Sequence, residues 1–441
     1  MNNLKILQKY IETKYRTGLK IEEQLRNFQN ARIAKHMQFV LQHSVFYKNM
    51  YQPYMNEVSS QQWEQLPIID KKIMMEHFDS LNTAGITKEQ AFQVAFEAER
   101  TRNFSPTIHN ITIGLSSGTS GNRGLFLVSE EERYLWAGSI LAKVLPSSIL
   151  KKQKIAFFLR ANSNLYETTK NKRISFHFFD LLDYFETHIK RLNEIRPTIL
   201  IAPPSMLRKI AEWKEEGHIH IAPKKVISVA EVLEDLDKKY MQSVFGQVMH
   251  QIYQCTEGFL ATTCKQGILH MNEDLVYIDK EYVDKGRGIF IPIITDFSRK
   301  TQPIIRYRLN DLLIEKKQPC SCGSPFLALE RIDGRCDDVF IGRGKTTAKE
   351  ISLFPDFIRR AVMLAAADIE EFKVIQHPNL FIEIKLKIKR DDNRSSIENA
   401  VGEELYRLWR DAGCERPTIF YSEYDILPSE KKLKRIERIL S

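Results

Sequence analysis

Hydrophobic positions recur at helical spacing near the start of the chain. They include Leu4, Leu7, Tyr10 and Ile11, and the pattern continues to Leu41. Apolar residues three and four positions apart line one face of an α-helix. We therefore predict that the first part of the chain is helical.

From Ile111 onward, short β-branched or aromatic runs alternate with helical stretches. Strands are predicted at Ile155–Leu159, Thr198–Ala202, Lys225–Val229 and Val248–Tyr253. Helices are predicted at Phe178–Glu194, Ser205–Glu216 and Leu233–Phe245. Alternation of this kind is typical of an α/β protein whose parallel strands are covered on both faces.

The pattern changes again in the last third of the chain. Ile289–Ile314 is mostly strand and turn. After Arg335 a smaller α+β unit is predicted, with helices near Phe354–Ala367 and Ser395–Ala412 and a strand pair at Phe372–Ile375 and Phe381–Ile388. We place a boundary here, giving a large domain of residues 1–336 and a small domain of residues 337–441.

Composition narrows the class of protein. The 441 residues are 43% hydrophobic and 27% charged, which is typical of a folded multi-domain chain. We expect no membrane span, because no run approaches about 18 apolar residues, and we expect no secretory signal. Six cysteines are too few for a disulfide framework, so a cytoplasmic location is expected.

The net charge of +9 favours polyanionic partners such as nucleotides. The basic residues are scattered and form no nucleic-acid-binding pattern, so we expect no nucleic acid partner.

A loop rich in Gly, Ser and Thr follows the strand-like start of Ile111–Gly124. Glycine lets backbone amides approach a ligand closely and hydroxyls donate hydrogen bonds, so the loop suits phosphate oxygens. An ordinary turn is the alternative. Gly114–Gly118 also fits the G-x-S-x-G pattern of serine hydrolases, but the strand-like Leu125–Val128 follows where that pattern requires a helix.

Two further segments place acidic and hydroxyl groups at strand ends. Thr256 and Glu257 follow the strand predicted at Val248–Tyr253, where open α/β sheets bind ligands. Thr256 could donate to a phosphate and Glu257 could hold Mg²⁺. Asp311 ends the segment Pro303–Asp311 and suits two vicinal ribose hydroxyls, because a carboxylate accepts more than one hydrogen bond. A solvated turn is the alternative for each segment alone.

Together with later segments, these motifs form a recognisable series. The chain resembles the adenylate-forming superfamily of acyl-CoA synthetases, peptide-synthetase adenylation domains and luciferases, and within it the phenylacetate-CoA ligase branch, which includes a synthetase that adenylylates a deazaflavin cofactor. The resemblance rests on the segments above together with His43–Tyr47, Leu66–Lys71, Ala202–Leu207, Ile332–Val339 and Leu427–Arg435.

The resemblance implies a fold of stacked mixed and parallel sheets with helices in the large domain and a small C-terminal α+β lid. It implies ATP and Mg²⁺ as cofactors. The resemblance implies that the ATP phosphates lie under a loop formed by Ser116, Ser117, Gly118, Thr119, Ser120 and Gly121, that Thr256 contacts the α-phosphate, and that Glu257 binds Mg²⁺. It implies that Ala230 and Glu231 lie beside the adenine, that Tyr253 stacks near it, that Asp311 holds the ribose and that Arg335 contacts the nucleotide. It also implies that Asp337 is the hinge and that Lys432 is the adenylation lysine.

The chain departs from the pattern of these ligases in four places. Asn122-Arg123 replaces a Lys-Pro step, and Leu309-Asn310-Asp311 replaces Thr-Gly-Asp. Lys431 occupies the position of a Gly, so Lys431, Lys432 and Lys434 all stay candidates, with Lys432 favoured by register. The loop at Gly342–Lys349 lacks the usual Asn-Val-Phe-Pro, which weakens inference about the second half-reaction.

Four residues of types that bind metals, three cysteines and one histidine, fall in two short segments. Cys264 and His270 precede Cys320 and Cys322 by about fifty residues, and three thiolates with one imidazole make a complete structural Zn²⁺ set. Some relatives carry a comparable set. Buried free cysteine pairs are the alternative.

The expected reaction is ATP-dependent activation of a carboxylic acid to an acyl-adenylate, with release of pyrophosphate, followed by transfer to the thiol of CoA or of an acyl carrier protein. The branch suggests an aromatic acid, for which Phe176, Phe178, Phe179 and Phe259 are candidates unless they are core residues. Transfer of AMP to a hydroxyl and a non-catalytic nucleotide sensor stay open as alternatives, and so does a homodimer.

Overall fold

The computed structural model describes residues 2–15, 19–116, 123–159, 161–346, 349–389, 391–424 and 434–439. Its helices are α1 (Asn2–Lys14), α2 (Glu22–His43), α3 (Val45–Tyr51), α4 (Met55–Ser59), α5 (Lys71–Glu76), α6 (Phe78–Leu81), α7 (Lys88–Thr101), α8 (Glu130–Val144), α9 (Asn164–Glu167), α10 (Phe185–Ile195), α11 (Pro204–Glu215), α12 (Asp235–Phe245), α13 (Pro355–Ala365) and α14 (Arg394–Asp411).

The strands are β1 (Thr107–Ile108), β2 (Ile111–Leu115), β3 (Leu125–Val128), β4 (Gln153–Leu159), β5 (Ile174–Asp180), β6 (Ile199–Ala202), β7 (Lys225–Ser228), β8 (Met249–Gln254), β9 (Phe259–Thr263), β10 (Leu269–Met271), β11 (Val276–Asp284), β12 (Ile289–Asp296), β13 (Ile304–Arg308), β14 (Asp311–Glu315), β15 (Ala328–Arg335), β16 (Phe340–Arg343), β17 (Glu350–Leu353), β18 (Ile369–Gln376), β19 (Ile382–Ile388), β20 (Ile419–Ser422) and β21 (Ile436–Arg438).

One mixed sheet of 12 strands organises most of the chain, in the order β11-β12-β14-β15-β10-β9-β8-β7-β6-β4-β5, with β13 paired to β12. Strands β5, β4, β6, β7 and β8 run parallel, and from β9 the pairing is antiparallel. Strand β8 joins the two halves, so the residues that follow it lie where parallel and antiparallel strands meet. Strands β1, β2 and β3 form a separate antiparallel sheet.

Side chains alternate between two cores across the parallel strands. On β4, Ile155 and Phe157 join the larger core with α2 and α8, whereas Ala156 and Phe158 join the core beneath α10, α11 and α12. Because successive strand residues point to opposite faces, both faces of the sheet are buried. The predicted mixed α/β fold is confirmed.

The last part of the chain has a sheet and a core of its own. Strands β20, β19, β18 and β21 form a four-stranded sheet, and the hydrophobic core beside it draws on residues from Phe340 to Ile436, including α13 and α14. We call this part, from Phe340 onward, the C-terminal unit. The domain boundary after residue 336 stays a prediction.

The strands expected at residues 155–159, 198–202, 225–229 and 248–253 are present as β4, β6, β7 and β8, with ends shifted by one or two residues. The helix predicted at Phe178–Glu194 is wrong at its start, because Ile174–Asp180 is strand β5 and the helix begins at Phe185. Phe178 is opposite Phe157 in a parallel pair, so strand pairing with β4 outweighs the local helical spacing.

Among the described residues, none of the helices has the length and apolarity that crossing a bilayer would take.

Candidate functional site

A cleft of about 1370 Å³ lies at the ends of the central strands and draws its walls from distant parts of the sequence. The predicted nucleotide-binding residues that the structure describes all line it: Ser116, Ala230, Glu231, Tyr253, Thr256, Glu257, Asp311, Arg335 and Asp337. Ser117, Gly118, Thr119, Ser120, Gly121 and Lys432 lie outside the described residues.

Tyr253 and Asp311 meet across the junction of the two sheet halves. The Tyr253 hydroxyl donates to Oδ2 of Asp311 at 2.5 Å, and Nε of Arg335 lies 3.9 Å from Oδ1 of the same carboxylate. Burial, and then the charge of Asp311, raise the pKa of Tyr253, so its hydroxyl stays a donor. The Asp311 carboxylate is thus oriented on both sides and keeps acceptor sites for further donors.

Glu257 is held by two hydroxyls in a tight turn. Tyr307 donates to Oε1 at 3.1 Å, and Thr256 donates to Oε2 at 3.0 Å. The turn is closed by backbone hydrogen bonds between Cys255 and Gly258. A hard divalent cation prefers carboxylate oxygens of this kind, so Glu257 fits a magnesium ligand.

The base of the predicted phosphate loop is fixed by Ser116. Its Oγ accepts from the backbone amide of Gly124 at 2.7 Å and from Nζ of Lys71 at 3.2 Å. Nε of Arg123 donates to the Ser116 carbonyl at 3.2 Å, while its guanidinium also pairs with Glu99. Two cations therefore flank the end of β2 where the loop begins.

Lys71 was not assigned a role from the sequence, although it lies in the segment Leu66–Lys71. Burial lowers the pKa of Lys71, and the negative charge of Glu257 opposes that change. A Cβ at Gly124 would lie 2.9 Å from Cε of Lys71, so glycine at 124 leaves room for the lysine. Lys71 begins α5 directly after Asp70, which caps that helix by accepting from the amide of Ile73, and no local pattern points to the contact of Lys71 with Ser116.

Ala230 and Glu231 follow β7 at the edge of the cleft. Ala230 adopts a left-handed backbone conformation with φ of 69°, which is unfavourable for a residue that has a Cβ atom. Oε2 of Glu231 accepts from the amide of Ser205 at 3.2 Å, in the first turn of α11. The carboxylate therefore fixes the strand-end loop against a helix N-terminus.

The predicted hinge residue is tied to the turn between β13 and β14. Oδ2 of Asp337 accepts from Nδ2 of Asn310 at 2.6 Å, and the amide of Cys336 donates to the Asn310 carbonyl. The next residue, Asp338, pairs with Lys434 at 2.8 Å. Of the three candidate lysines, Lys434 is the one among the described residues, and it is engaged by Asp338, next to the predicted hinge residue.

Buried charges join the C-terminal unit to the large sheet. Arg435 pairs with Asp237 of α12 at 2.6 Å, and Arg208 of α11 pairs with Asp237 at 2.9 Å and with Glu371 of β18 at 3.2 Å. A second contact links Arg359 of α13 to Glu234 and to Asp333, the latter at 2.7 Å. These contacts hold the C-terminal unit over the cleft.

Aromatic side chains line another part of the cleft, next to α8. Trp136 donates from Nε1 to Oε1 of Gln254 at 3.2 Å, and its ring lies 5.8 Å from that of Tyr166. Of the four phenylalanines considered from the sequence, Phe259 lines the cleft, whereas Phe179 lies in the second core and stacks on Phe158. Trp136 and Tyr166 were missed because α8 and α9 meet only in the folded chain.

The four predicted metal ligands come together away from the cleft. The ligand atoms of Cys264, His270, Cys320 and Cys322 all lie within 4.8 Å of one another. Sγ of Cys264 is 3.9 Å from Sγ of Cys320, and Sγ of Cys322 is 3.5 Å from Nε2 of His270. Nδ1 of His270 lies 3.0 Å from the Phe326 carbonyl, which orients the ring. Tetrahedral Zn–S bonds of about 2.3 Å require thiolates about 3.8 Å apart, so the group fits zinc.

Comparison with known proteins gives a consistent set of relatives, although no family model matches the chain. The chain is 25% identical over 258 residues to protein CapK of Staphylococcus aureus, covering 58% of this chain and 55% of that protein. It is 26% identical to indoleacetate–lysine synthetase of Pseudomonas savastanoi, covering 49% of this chain and 56% of that protein. It is 24% identical to phenylacetate-coenzyme A ligase of Thermus thermophilus, covering 51% of this chain and 53% of that protein. The matches thus span about half the length of these curated relatives.

Solved structures extend the likeness in fold to nearly the whole chain. A 2-hydroxyisobutyryl-CoA ligase superposes with a TM-score of 0.69 at 14% identity, covering 96% of this chain and 90% of that one. An acyl acid amido synthetase, GH3.15, superposes with a TM-score of 0.57 at 13% identity, covering 92% and 87%.

Proposed function

We propose that this chain, which resembles adenylate-forming ligases in sequence and has their fold, activates a carboxylic acid with ATP to form an acyl-adenylate and pyrophosphate. The observation that carries the proposal is the convergence of Tyr253 with Asp311, and of Thr256 with Glu257, on one cleft whose wall includes Ser116. These residues come from three separate segments.

The nucleotide would lie along this wall. Asp311, oriented by Tyr253 and Arg335, accepts the two ribose hydroxyls. Thr256 would turn its hydroxyl from Glu257 to the α-phosphate. The loop of residues 116–121 is proposed to cover the β- and γ-phosphates, with Lys71 and Arg123 supplying positive charge at its base. Glu257 would hold Mg²⁺, which when bound neutralises charge on the departing pyrophosphate.

In the adenylation step, a carboxylate oxygen of the acid forms a bond to the α-phosphorus as the bond from that phosphorus to the pyrophosphate oxygen breaks. The chain contributes by positioning the two reactants and by stabilising negative charge. Lys432 would supply the last positive charge, next to both the carboxylate and the α-phosphate. Lys434 is engaged by Asp338, which supports Lys432 over Lys434 for this role.

We further propose that residues 337–441 act as a domain that rotates about Asp337 between the two half-reactions. The hydrogen bond from Asn310 to Asp337 and the buried ion pairs from Arg435 and Arg359 support one closed position of that domain. Rotation would break these contacts and withdraw Lys432. The acyl carbonyl then accepts a nucleophile and AMP leaves.

The acid is proposed to be aromatic. Trp136, Tyr166 and Phe259 line the cleft beside the nucleotide wall. Burial raises the pKa of Tyr166 to about 12, so its hydroxyl is a neutral group at physiological pH. Two of the curated relatives are named for phenylacetate and indoleacetate.

The acceptor is proposed to be the thiol of CoA or of a carrier protein, and an amine is a second candidate. The amine is favoured by two observations: the altered loop at Gly342–Lys349, and relatives named as a lysine synthetase and an amido synthetase. The hydroxyl acceptor and the nucleotide sensor have no comparable support among the relatives.

The experiment is a panel of aryl, arylacetic and short-chain acids incubated with ATP and Mg²⁺, with pyrophosphate release measured. CoA and free amino acids are then added in separate reactions, AMP release is measured, and the acylated product is identified by mass spectrometry. Pyrophosphate release that depends on an acid supports the proposal, and ATP hydrolysis independent of every acid contradicts it.

The Cys264, His270, Cys320 and Cys322 group is proposed to bind one structural Zn²⁺. Four ligands leave no open position for chemistry, and none of the four lines the cleft. When bound, the ion would join the β9–β10 turn to the segment before β15.

A further inference from the structure

The outward face of α1 is apolar along its length. Leu4, Leu7, Ile11 and Tyr15 are 68%, 40%, 48% and 65% exposed, and their spacing of three or four residues forms one stripe. The opposite face packs on α8 so closely that a Cβ at Gly138 would lie 2.7 Å from the Ile6 carbonyl oxygen. A surface helix ordinarily has polar residues on its outer side, so this exposed apolar stripe indicates an interaction surface.

A neighbouring loop extends the stripe. Ile149 packs against the core that contains Tyr10, and its backbone partly offsets the rise that burial causes in the pKa of Tyr10, so the loop after α8 lies beside α1. Leu150 in that loop is 68% exposed. We call Leu4, Leu7, Ile11, Tyr15 and Leu150 the apolar patch.

Positive charge collects at one edge of the apolar patch. Nζ of Lys14 donates to the Ala142 carbonyl at 3.1 Å, and Nζ of Lys225 donates to the Val144 carbonyl at 3.0 Å, so both reach the last turn of α8. Burial lowers the pKa of Lys14 and of Lys225. The positive charge of Lys265 lowers the pKa of Lys14 further, and that of Lys14 lowers the pKa of Lys225, so these cations lie close together. Lys151 and Lys152 follow Leu150 and are exposed.

Two acidic side chains of α1 and α8 do not offset this charge, because they are already paired. Glu12 on α1 bonds to Arg32 at 3.1 Å and to Lys9 at 3.4 Å. Glu131 in the first turn of α8 bonds to Lys5 at 3.2 Å. The edge of the apolar patch is therefore cationic.

We propose that the apolar patch and its lysine edge dock on the surface of an anionic phospholipid bilayer, with α1 lying in the plane of the interface. Leucine, isoleucine and tyrosine side chains would enter the boundary between headgroups and acyl chains, and the lysines would contact lipid phosphates. A second copy of the chain fits less well, because a two-fold contact brings the same cationic surface onto itself. The net charge of +9 adds to the attraction.

The test is co-sedimentation of the full chain with vesicles of phosphatidylcholine alone or mixed with phosphatidylglycerol. We expect binding to the anionic vesicles that weakens as salt is added, and none to the neutral ones. Ile11→Glu should weaken this binding by about tenfold or more, since it places a carboxylate in the interface. Leu364→Glu is the matched control, because Leu364 is 76% exposed on α13 and belongs to the C-terminal unit; it should bind like the unmodified chain.

Circular dichroism and the melting temperature check that the Ile11→Glu and Leu364→Glu variants fold. The double variant Lys151→Ala, Lys152→Ala gives a second test of binding to anionic vesicles, and it adds no charge to the apolar patch. Absence of binding to anionic vesicles overturns the proposal, and so does equal binding by the Ile11→Glu and Leu364→Glu variants. A dimer in light scattering that Ile11→Glu dissociates also overturns it, because a second copy would then cover the patch. None of these outcomes depends on adenylation, so this proposal and the proposed function fail separately.

Discussion

The guanidinium of Arg435 and the carboxylate of Asp237 form a buried ion pair between the C-terminal unit and α12, with Nη2 2.6 Å from Oδ2 and both side chains 3% exposed. Arg435 follows Lys432 by three residues. The pair therefore fixes the end of the segment that carries the proposed adenylation lysine, and Arg208 bonds to the same carboxylate from the other side.

Replacing Arg435 with Met should impair adenylation more than acyl transfer, because the lysine segment loses its anchor while the cleft keeps its residues. We expect acid-dependent pyrophosphate exchange to fall by at least about tenfold, because Asp237 then keeps its bond to Arg208 but no longer holds the segment that carries Lys432. Transfer from a synthetic acyl-adenylate should be retained. Arg407→Met, at a position that is 59% exposed, is the control. An equal fall in both half-reactions would indicate a general loss of structure.

Lys432→Ala should abolish most of the adenylation activity. Loss of one positive charge at the reacting phosphate costs about 3–4 kcal/mol, or about 10²–10³-fold in rate, by analogy with a lost oxyanion donor. Thiolysis of a synthetic acyl-adenylate should be spared. Lys434→Ala should have the smaller effect, because Lys434 pairs with Asp338. If Lys431→Ala has the larger effect instead, the register of the lysine segment is wrong.

Tyr253→Phe should weaken ATP binding while keeping the aromatic ring. The variant loses the hydrogen bond that orients Asp311, and a bond to a charged group contributes about 1.5–3 kcal/mol, so the KM for ATP should rise by about tenfold or more. Tyr282→Phe is the control, because that hydroxyl donates to Glu315 at 3.1 Å and the residue does not line the cleft. An unchanged KM for ATP in both variants would place the ribose elsewhere.

Elemental analysis should find about one zinc per chain, the number that one closed four-ligand site holds. Cys320→Ser together with Cys322→Ser should remove the metal and lower the melting temperature. Cys414→Ala, in the core of the C-terminal unit, should leave the metal content unchanged. Since the four ligands do not line the cleft, removal of zinc by chelation, followed by return of Mg²⁺, should leave pyrophosphate exchange intact well below the melting temperature. Full stability without metal would contradict a structural role.

The order of strands and helices around the parallel sheet could be predicted because each buried strand is a short apolar run. Strand β5 could not be predicted, because Phe178 and Phe179 also fit a helical spacing. Only pairing with strand β4 decides between helix and strand here. The grouping of Cys264 and His270 with the later cysteines followed from ligand type and spacing, and their proximity is confirmed. Lys71 and Tyr307 reach Ser116 and Glu257 only through tertiary packing, so no local pattern indicated either contact.

Exchange of labelled pyrophosphate into ATP is the most direct test that these segments build one adenylating site. We expect exchange that requires both Mg²⁺ and a carboxylic acid, and that is lost in Glu257→Gln and Asp311→Ala variants that still fold. Exchange that is absent with every acid in the panel, or that persists in both variants, would contradict the assignment.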